Sequence, residues 1–363
     1  MIIHMAKNAT LEQEQAVLDR IAGKGFDHEI IHGQTGINII GVLGDLSNVE
    51  ESYFAELNGV DKVIRISKPY KLVSREYAKD AKAYVKATKT VKVGDTEIGG
   101  KSLVIMAGPC SLESEEQVMA IAKYVSGTGI KIMRGGAYKP RTSPYSFQGM
   151  GIEGLDLLAK ARDQFNLRII TEATGLHRHM NPDGTLENKN VLENVIDYAD
   201  IVQVGTRNMK SYGFLQELGL LTKETKKPIL LKRGESSTLK DFLLAAEYIV
   251  SNGNPNVILC LRGIRTFEEG KFQRNTPDIG AIAVLKRESN LPIVFDPSHS
   301  TGYRASVKAV SLAAVAAGAD GLLIETHNNP ANALCDGEQS ITQKQLAEIK
   351  EAAEKIRSIA YKE

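Results

Sequence analysis

The chain contains no tryptophan, and its three cysteines, Cys110, Cys260 and Cys335, are too few and odd in number for a disulfide framework. No apolar run approaches the length of about 18 residues that a membrane-crossing helix needs. The opening residues, Met-Ile-Ile-His-Met-Ala-Lys, lack the long apolar stretch of a signal peptide, so the cytoplasm is the expected location. There is almost no net charge: 45 basic against 44 acidic residues leave +1. That balance gives no reason to expect a nucleic acid or an anionic membrane as partner. Any positive field must therefore be local. What remains is an ordinary globular composition, 42% hydrophobic and 25% charged, in 363 residues. That length suits a large α/β barrel with a small appendage.

Residues 1–66 read as strand, helix, strand, strand, helix, strand. Ile2–Met5 is apolar, and Thr10 with Gln13 forms a capping box ahead of a helix to about Lys24. Glu29–His32 and Ile37–Val42 flank Gly33 and Gly36, as in a hairpin. Ser47 with Glu50 repeats the capping box before a helix to about Leu57, and Val60–Ile66 closes the set. This order is the split βαβ, ferredoxin-like pattern. Such a unit suits binding of a small ligand or a partner subunit better than chemistry. Residues 67–100 form a connector in which Thr90–Val93 and Glu97–Ile98, around Gly94-Asp95, suggest a small hairpin placed to plug a barrel mouth.

From residue 101 to 363 the period becomes strand then helix, eight times. Strands are expected near 103–107, 130–134, 168–172, 200–204, 228–232, 256–261, 292–296 and 320–325, with helices such as Ser114–Val125 and Ala305–Ala317 between them. Eight such units in about 260 residues imply a closed (β/α)8 TIM barrel. The segment His177–Asn190, with Pro182, Asp183 and Gly184, reads as a long exposed loop. The apolar runs close on Cys110, Arg134, Glu172, Arg207, Lys232, Arg262, His299 and Glu325. Parallel strands put those positions on one face of the barrel, the face where active sites are built.

Two groups of residues carry chemistry. In the block Arg134–Gly149, Arg134, Lys139 and Arg141 are spaced by glycines and prolines that hold mutually repelling cations in place. Arginine offers a planar donor fork to phosphate or carboxylate, and lysine a point charge. Arg207, Lys232 and Arg262 add cations at neighbouring strand ends, and Arg265, Thr266 and Arg274 could take a second phosphate. Cys110, His299, Glu325 and Asp336 form the other group. A thiolate, an imidazole and carboxylates suit one divalent transition metal ion such as Mn, Fe, Co or Zn. Strands one, seven and eight adjoin on closure, which brings the first three together, with Asp336 in the loop above them. Glu172, between the two groups, could orient Lys232, move a proton or pair with the surrounding cations. Asp296 has the same ambiguity.

With these residues in view, the chain resembles the metal-dependent 3-deoxy-D-arabino-heptulosonate 7-phosphate (DAHP) synthases, and most of all the type I beta-like subgroup with an N-terminal ferredoxin-like regulatory domain. The resemblance covers essentially the whole chain. It rests on Gly108–Ser111, Arg134–Gly149, Gln203–Met209, Leu230–Gly234, Arg262–Glu268, Asp296–His299 and Cys335–Gly337. Lys139-Pro-Arg-Thr142 is the segment that marks erythrose 4-phosphate use in this family, where the related 3-deoxy-octulosonate 8-phosphate (KDO8P) synthases differ. The resemblance implies condensation of phosphoenolpyruvate with erythrose 4-phosphate and water, giving DAHP and phosphate on the route to aromatic amino acids. It implies that Arg134, Lys139, Arg207, Lys232 and Arg262 hold phosphoenolpyruvate. Lys139, Arg141 and Thr142 would face erythrose 4-phosphate, and Cys110, His299, Glu325 and Asp336 would hold the metal. Lys139, Glu172 and His299 are the expected catalytic groups.

The resemblance further implies feedback by tyrosine or phenylalanine through residues 1–66, and a homotetramer. Departures fall at Leu261, where the subgroup usually has Glu, at Pro277, at Lys210-Ser-Tyr-Gly213 and in the 177–190 loop. KDO8P-type condensation with arabinose 5-phosphate and a non-catalytic, amino-acid-responsive binding protein are the alternatives.

Overall fold

The computed structural model describes residues 1–32, 38–46, 48–65, 68–75, 88–141, 143, 145–175, 185, 190–268, 270 and 272–360. The expected turn at Gly33 and Gly36, Ser47 of the second capping box, Thr142 and all of the 177–190 loop except Thr185 and Asn190 lie outside them. The chain divides into two compact units, Met1–Lys71 and Leu72–Glu363.

The first unit runs β1 (Ile2–Met5), α1 (Leu11–Ala22), β2 (Asp27–His32), β3 (Asn38–Leu43), α2 (Ser52–Ala55) and β4 (Val60–Ile64). Its four strands pair antiparallel in the order β2-β3-β1-β4, the ferredoxin-like arrangement. Alternation decides its core: Ile3 and Met5 of β1 turn inward with Ile40 and Val42 of β3, and Val17 and Ile21 of α1 cover them from one helix face. The Thr10 and Gln13 capping box forms in both directions. The second expected helix is shorter than its pattern suggested. Only Ser52–Ala55 is helical, and its N-cap residue, Glu51, makes no side-chain cap.

The second unit opens with the hairpin β5 (Val91–Val93) and β6 (Thr96–Ile98). Eight parallel strands follow: β7 (Val104–Gly108), β8 (Ile132–Arg134), β9 (Arg168–Ala173), β10 (Ile201–Val204), β11 (Ile229–Lys232), β12 (Val257–Leu261), β13 (Ile293–Phe295) and β14 (Gly321–Glu325). They close in chain order, with β14 against β7. Between and after them lie α3 (Glu115–Gly127), α4 (Ile152–Phe165), α5 (Val191–Tyr198), α6 (Tyr212–Leu221), α7 (Leu239–Ser251), α8 (Gly280–Glu288), α9 (Pro297–Thr301), α10 (Arg304–Ala316) and α11 (Gln343–Ala360). Strands covered on both faces read as continuous apolar runs, and β7, β10, β11, β12 and β14 are buried throughout. Val91, Val93 and Ile98 of the hairpin join one cluster with Val104, Ile132, Ile170, Ile201 and Ile258 from the barrel strands. Most of these barrel residues sit early in their strands, so the hairpin packs against the N-terminal end. The opposite end is left for polar chemistry. Among the described residues, no helix is long and apolar enough to cross a membrane.

Candidate active site

Local sequence explains how each donor reaches the C-terminal mouth. In Asp296-Pro-Ser-His299 the aspartate caps the short helix α9, with Pro297 in its first turn. Asp296 Oδ1 accepts the backbone N–H of His299 at 2.9 Å, while Oδ2 lies 2.7 Å from His299 Nδ1. Nδ1 therefore carries its proton toward Asp296, and Nε2 presents its lone pair to the mouth. Nε2 stands 3.5 Å from Glu325 Oε1 and 4.0 Å from Asp336 Oδ2. Glu325 ends β14 and is fully buried. Asp336 takes a left-handed backbone conformation, φ +51°, which aspartate tolerates better than most residues.

Cys110 completes the set. Its Sγ lies 3.1 Å from Asp336 Oδ2, 2.8 Å from Cys335 Sγ and 3.2 Å from Lys139 Nζ. Lys139 Nζ also donates to the Cys110 carbonyl at 3.0 Å. That fold-back needs Gly136, where a Cβ would lie 2.6 Å from the Cys110 oxygen and 2.8 Å from Lys139 Cδ. Among the described residues, two triads able to hold a metal ion result, Cys110–Cys335–Asp336 and His299–Glu325–Asp336, with donor atoms within 4.8 Å of one another in each. They share Asp336. The mixed sulfur, nitrogen and oxygen set fits a divalent transition ion.

Charge is balanced tightly here. Burial raises the Glu325 carboxyl, but His299 and Arg134 outweigh it and hold its pKa below the usual value. Asp336 is likewise held low by His299 and Arg274 against burial. Asp296 is pushed far down by His299 and Lys232, which overcome full burial. Burial lowers the His299 pKa, with Asp296 and Glu325 opposing. The hydrogen bond that the Cys110 thiol donates to Cys335, burial and the charge of Glu325 drive the Cys110 thiol up, whereas the same bond favours the Cys335 thiolate. For Lys139 burial works against the charge, but the Cys110 and Cys335 sulfurs and Glu172 outweigh it.

The cations separate into those that meet the donor cluster and those that do not. Arg134 is buried against Glu325 Oε1. Lys232 Nζ lies 2.6 Å from Asp296 Oδ2 and 3.4 Å from His299 Nδ1. Arg262 is buried at the end of β12, with NH1 donating to Asn275 Oδ1 at 3.1 Å. Arg141 donates to the Phe147 carbonyl at 2.9 Å. Arg207 stands apart, its NH1 on the Pro140 carbonyl at 3.2 Å. Arg274 pairs with Asp336 Oδ1 at 3.0 Å and with Gln339 Oε1 at 2.9 Å.

Glu172 does not orient Lys232: its Oε2 accepts from Gln203 at 3.2 Å, and Lys232 is taken by Asp296 instead. Asp296 Oδ2, just beyond β13, lies against both Lys232 and His299 and so takes the ammonium. Three residues of the site escaped the sequence reading. Gln339 donates to Glu325 Oε2 and Asn275 donates to the His299 carbonyl at 2.8 Å. Cys335 appeared there only among the three cysteines and in the segment Cys335–Gly337, not as a metal donor. A neutral amide carries no charge signature, so only its proximity in the folded chain reveals it. Leu261, the unusual apolar residue before Arg262, is fully buried and its carbonyl accepts from Asp296.

A closed parallel barrel with metal donors and buried cations at its C-terminal mouth defines a barrel enzyme acting on anionic substrates. The chain belongs to the DAHP synthetase I family, whose model matches residues 80–362, and residues 1–68 match the DAHP synthase ferredoxin-like domain. It is 41% identical over 356 residues to a phospho-2-dehydro-3-deoxyheptonate aldolase of Thermotoga maritima, covering 98% of this chain and 97% of that one. The crystal structure of a Thermotoga maritima enzyme of that name superposes with a TM-score of 0.82, covering 99% of this chain and 96% of the other at 41% identity. A 2-dehydro-3-deoxyphosphooctonate aldolase of Geobacter sulfurreducens is more distant, 29% identical over 273 residues, covering 70% of this chain and 92% of that enzyme. The family is metal-dependent, in keeping with the donor cluster.

Proposed function

We propose that the protein condenses phosphoenolpyruvate with erythrose 4-phosphate and water to give DAHP and inorganic phosphate. One observation carries this reading beyond family membership. Asp336 Oδ2 stands 3.1 Å from Cys110 Sγ and 4.0 Å from His299 Nε2, so a single carboxylate joins both halves of the donor set beside buried cations. Cys110, His299, Glu325 and Asp336 would hold the ion, of Mn, Fe, Co or Zn type, and when bound it supplies Lewis-acid polarisation of the aldehyde carbonyl.

The chain's own residues do the rest. Arg134, Lys139, Lys232 and Arg262, with Arg207 at the rim, hold the phosphate and carboxylate of phosphoenolpyruvate. The family resemblance assigns Lys139, Arg141 and Thr142 to erythrose 4-phosphate. Fixing two anionic reactants side by side removes much of the entropic barrier, and the cations offset charge as it develops. C3 of phosphoenolpyruvate forms the new bond to the aldehyde carbon. Lys139, a buried ammonium against Cys110, gives a proton to the aldehyde oxygen. Water adds at C2 and gives a proton to Glu172, and the C–O bond to phosphate then breaks as the new C2 hydroxyl passes its proton to the departing phosphate. Tyrosine or phenylalanine acting on the N-terminal unit, a homotetrameric assembly and a cytoplasmic site of action complete the reading.

The test follows phosphoenolpyruvate consumption and phosphate release with each aldose phosphate, with and without a chelator. Turnover with erythrose 4-phosphate that the chelator abolishes is expected. Turnover with arabinose 5-phosphate alone would assign the KDO8P reaction instead. Bound metal with no phosphate release from either sugar would favour a non-catalytic binding protein.

A further inference from the structure

Glu235 follows Gly234 in the loop after β11, and its carboxylate stands between two guanidinium groups. Oε1 is 3.8 Å from Arg262 NH1 and Oε2 is 3.1 Å from Arg265 NH2. The Glu235 carbonyl also accepts the Arg265 backbone N–H at 2.8 Å, which fixes the two loops together. The two arginines differ sharply in surroundings: the Arg262 side chain is 3% exposed and that of Arg265 is 68% exposed.

Arg262 is a buried cation with little to neutralise it. Its NH1 has Asn275, but its Nε has no hydrogen-bond partner among the described residues. Asp296 contributes only at a distance, because its carboxylate is committed to Lys232 and His299. Burial pulls the Arg262 pKa down, with Asp296 and Glu235 opposing. The Glu235 carboxylate lies beyond direct hydrogen-bond reach of Arg262 and within reach of Arg265. It is half shifted toward the solvent-side partner already. It also borders a cavity of about 250 Å³, shared with Arg207, Lys210 and Ser237.

We propose that Glu235 is a displaceable internal anion, which neutralises Arg262 in the free enzyme and passes wholly to Arg265 when an anionic group of phosphoenolpyruvate takes Arg262. This rests on the assignment of Arg262 to phosphoenolpyruvate. Two anions cannot share one buried guanidinium without repulsion. Glu235 therefore weakens substrate binding, and Arg265 limits the loss by giving the carboxylate a second place to sit. Glu235 is a positioning residue that sets affinity for one reactant of the two.

The test uses full-length, metal-loaded protein. Calorimetric titration of phosphoenolpyruvate into wild type and E235Q reads the inference directly, and steady-state kinetics separates KM from kcat. E235Q is expected to bind phosphoenolpyruvate about three- to ten-fold more tightly, the upper figure corresponding to about 1.4 kcal/mol. Its KM for phosphoenolpyruvate falls in step, while kcat and the KM for erythrose 4-phosphate stay within about twofold. R265A is expected to weaken phosphoenolpyruvate binding in the Glu235 background and to have little effect in E235Q, a coupling that a purely structural role does not produce. Unchanged or weaker binding by E235Q, or an equal effect of R265A in both backgrounds, overturns the proposal. Wild-type protein that binds phosphoenolpyruvate yet turns over no aldose phosphate would count against the proposed reaction, with the Glu235 question still decided by the titrations.

Discussion

Asp296 grips His299 at two points, capping its backbone N–H through one carboxylate oxygen at 2.9 Å and facing its Nδ1 through the other at 2.7 Å. A single side chain thus ends the strand, starts the helix and selects the imidazole tautomer. Partners behind a ligating histidine typically govern about 10- to 100-fold in metal affinity or activity. Asp296→Asn keeps an oxygen for the helix cap but removes the charge that Lys232 and His299 share. Metal affinity and kcat/KM are expected to fall by about 10- to 100-fold with the far-ultraviolet circular dichroism unchanged. A variant with wild-type metal affinity and turnover would refute this role for Asp296.

The same residue predicts an acid-side loss of stability. The Asp296 pKa is held well below 3.8, because His299 and Lys232 outweigh burial. A depressed folded-state pKa stabilises the protein above the unfolded value, and that contribution drains away as pH falls from about 3.8 toward the folded value. Urea unfolding between pH 6 and pH 3 should therefore show the gap between wild type and Asp296→Asn narrowing as acid is added. A gap that widens would reverse the sign and contradict the assignment.

How far the sequence carries is visible in these residues. Period and length marked all eight strands within two residues or so, since a strand covered on both faces must be a continuous apolar run. The ends of those runs pointed to Cys110, Glu325 and the buried cations because side chains at strand ends face one mouth. The partner of each group was not legible. Glu172 and Asp296 looked equivalent along the chain, and only the closed barrel shows that Asp296 takes Lys232 while Glu172 takes Gln203. The α2 helix was overestimated because a capping-box spelling does not by itself supply a buried face: Phe54 is its one buried residue.

Cys110 and Cys335 lie with their sulfurs 2.8 Å apart, while Cys260 is buried inside the barrel core. Peroxide treatment of metal-stripped protein is expected to join the first pair. The two thiols lose two protons and two electrons, and the peroxide is reduced to water. Peptide mass spectrometry should find the Cys110–Cys335 link and a free Cys260, with activity returning after dithiol reduction and metal addition. Both thiols free in oxidised, inactive protein would exclude the link.

The N-terminal unit has its own core, built on Ile3, Met5, Ile21, Ile40 and Phe54, and the division falls after Lys71. Removal of residues 1–71 is expected to leave turnover within about threefold while abolishing inhibition by tyrosine or phenylalanine, since an allosteric effect needs its second site. Inhibition that survives the deletion unchanged would place the effector site in the barrel.

The most direct measurement of the central claim is metal content against turnover in Cys110→Ala, His299→Ala, Glu325→Ala and Asp336→Ala, each compared with wild type before and after chelation. Wild type should hold one divalent ion per chain, lose both ion and DAHP formation to the chelator and regain both on metal addition, while each variant loses tight binding and turnover together. DAHP formation that persists in fully stripped wild-type protein would contradict it.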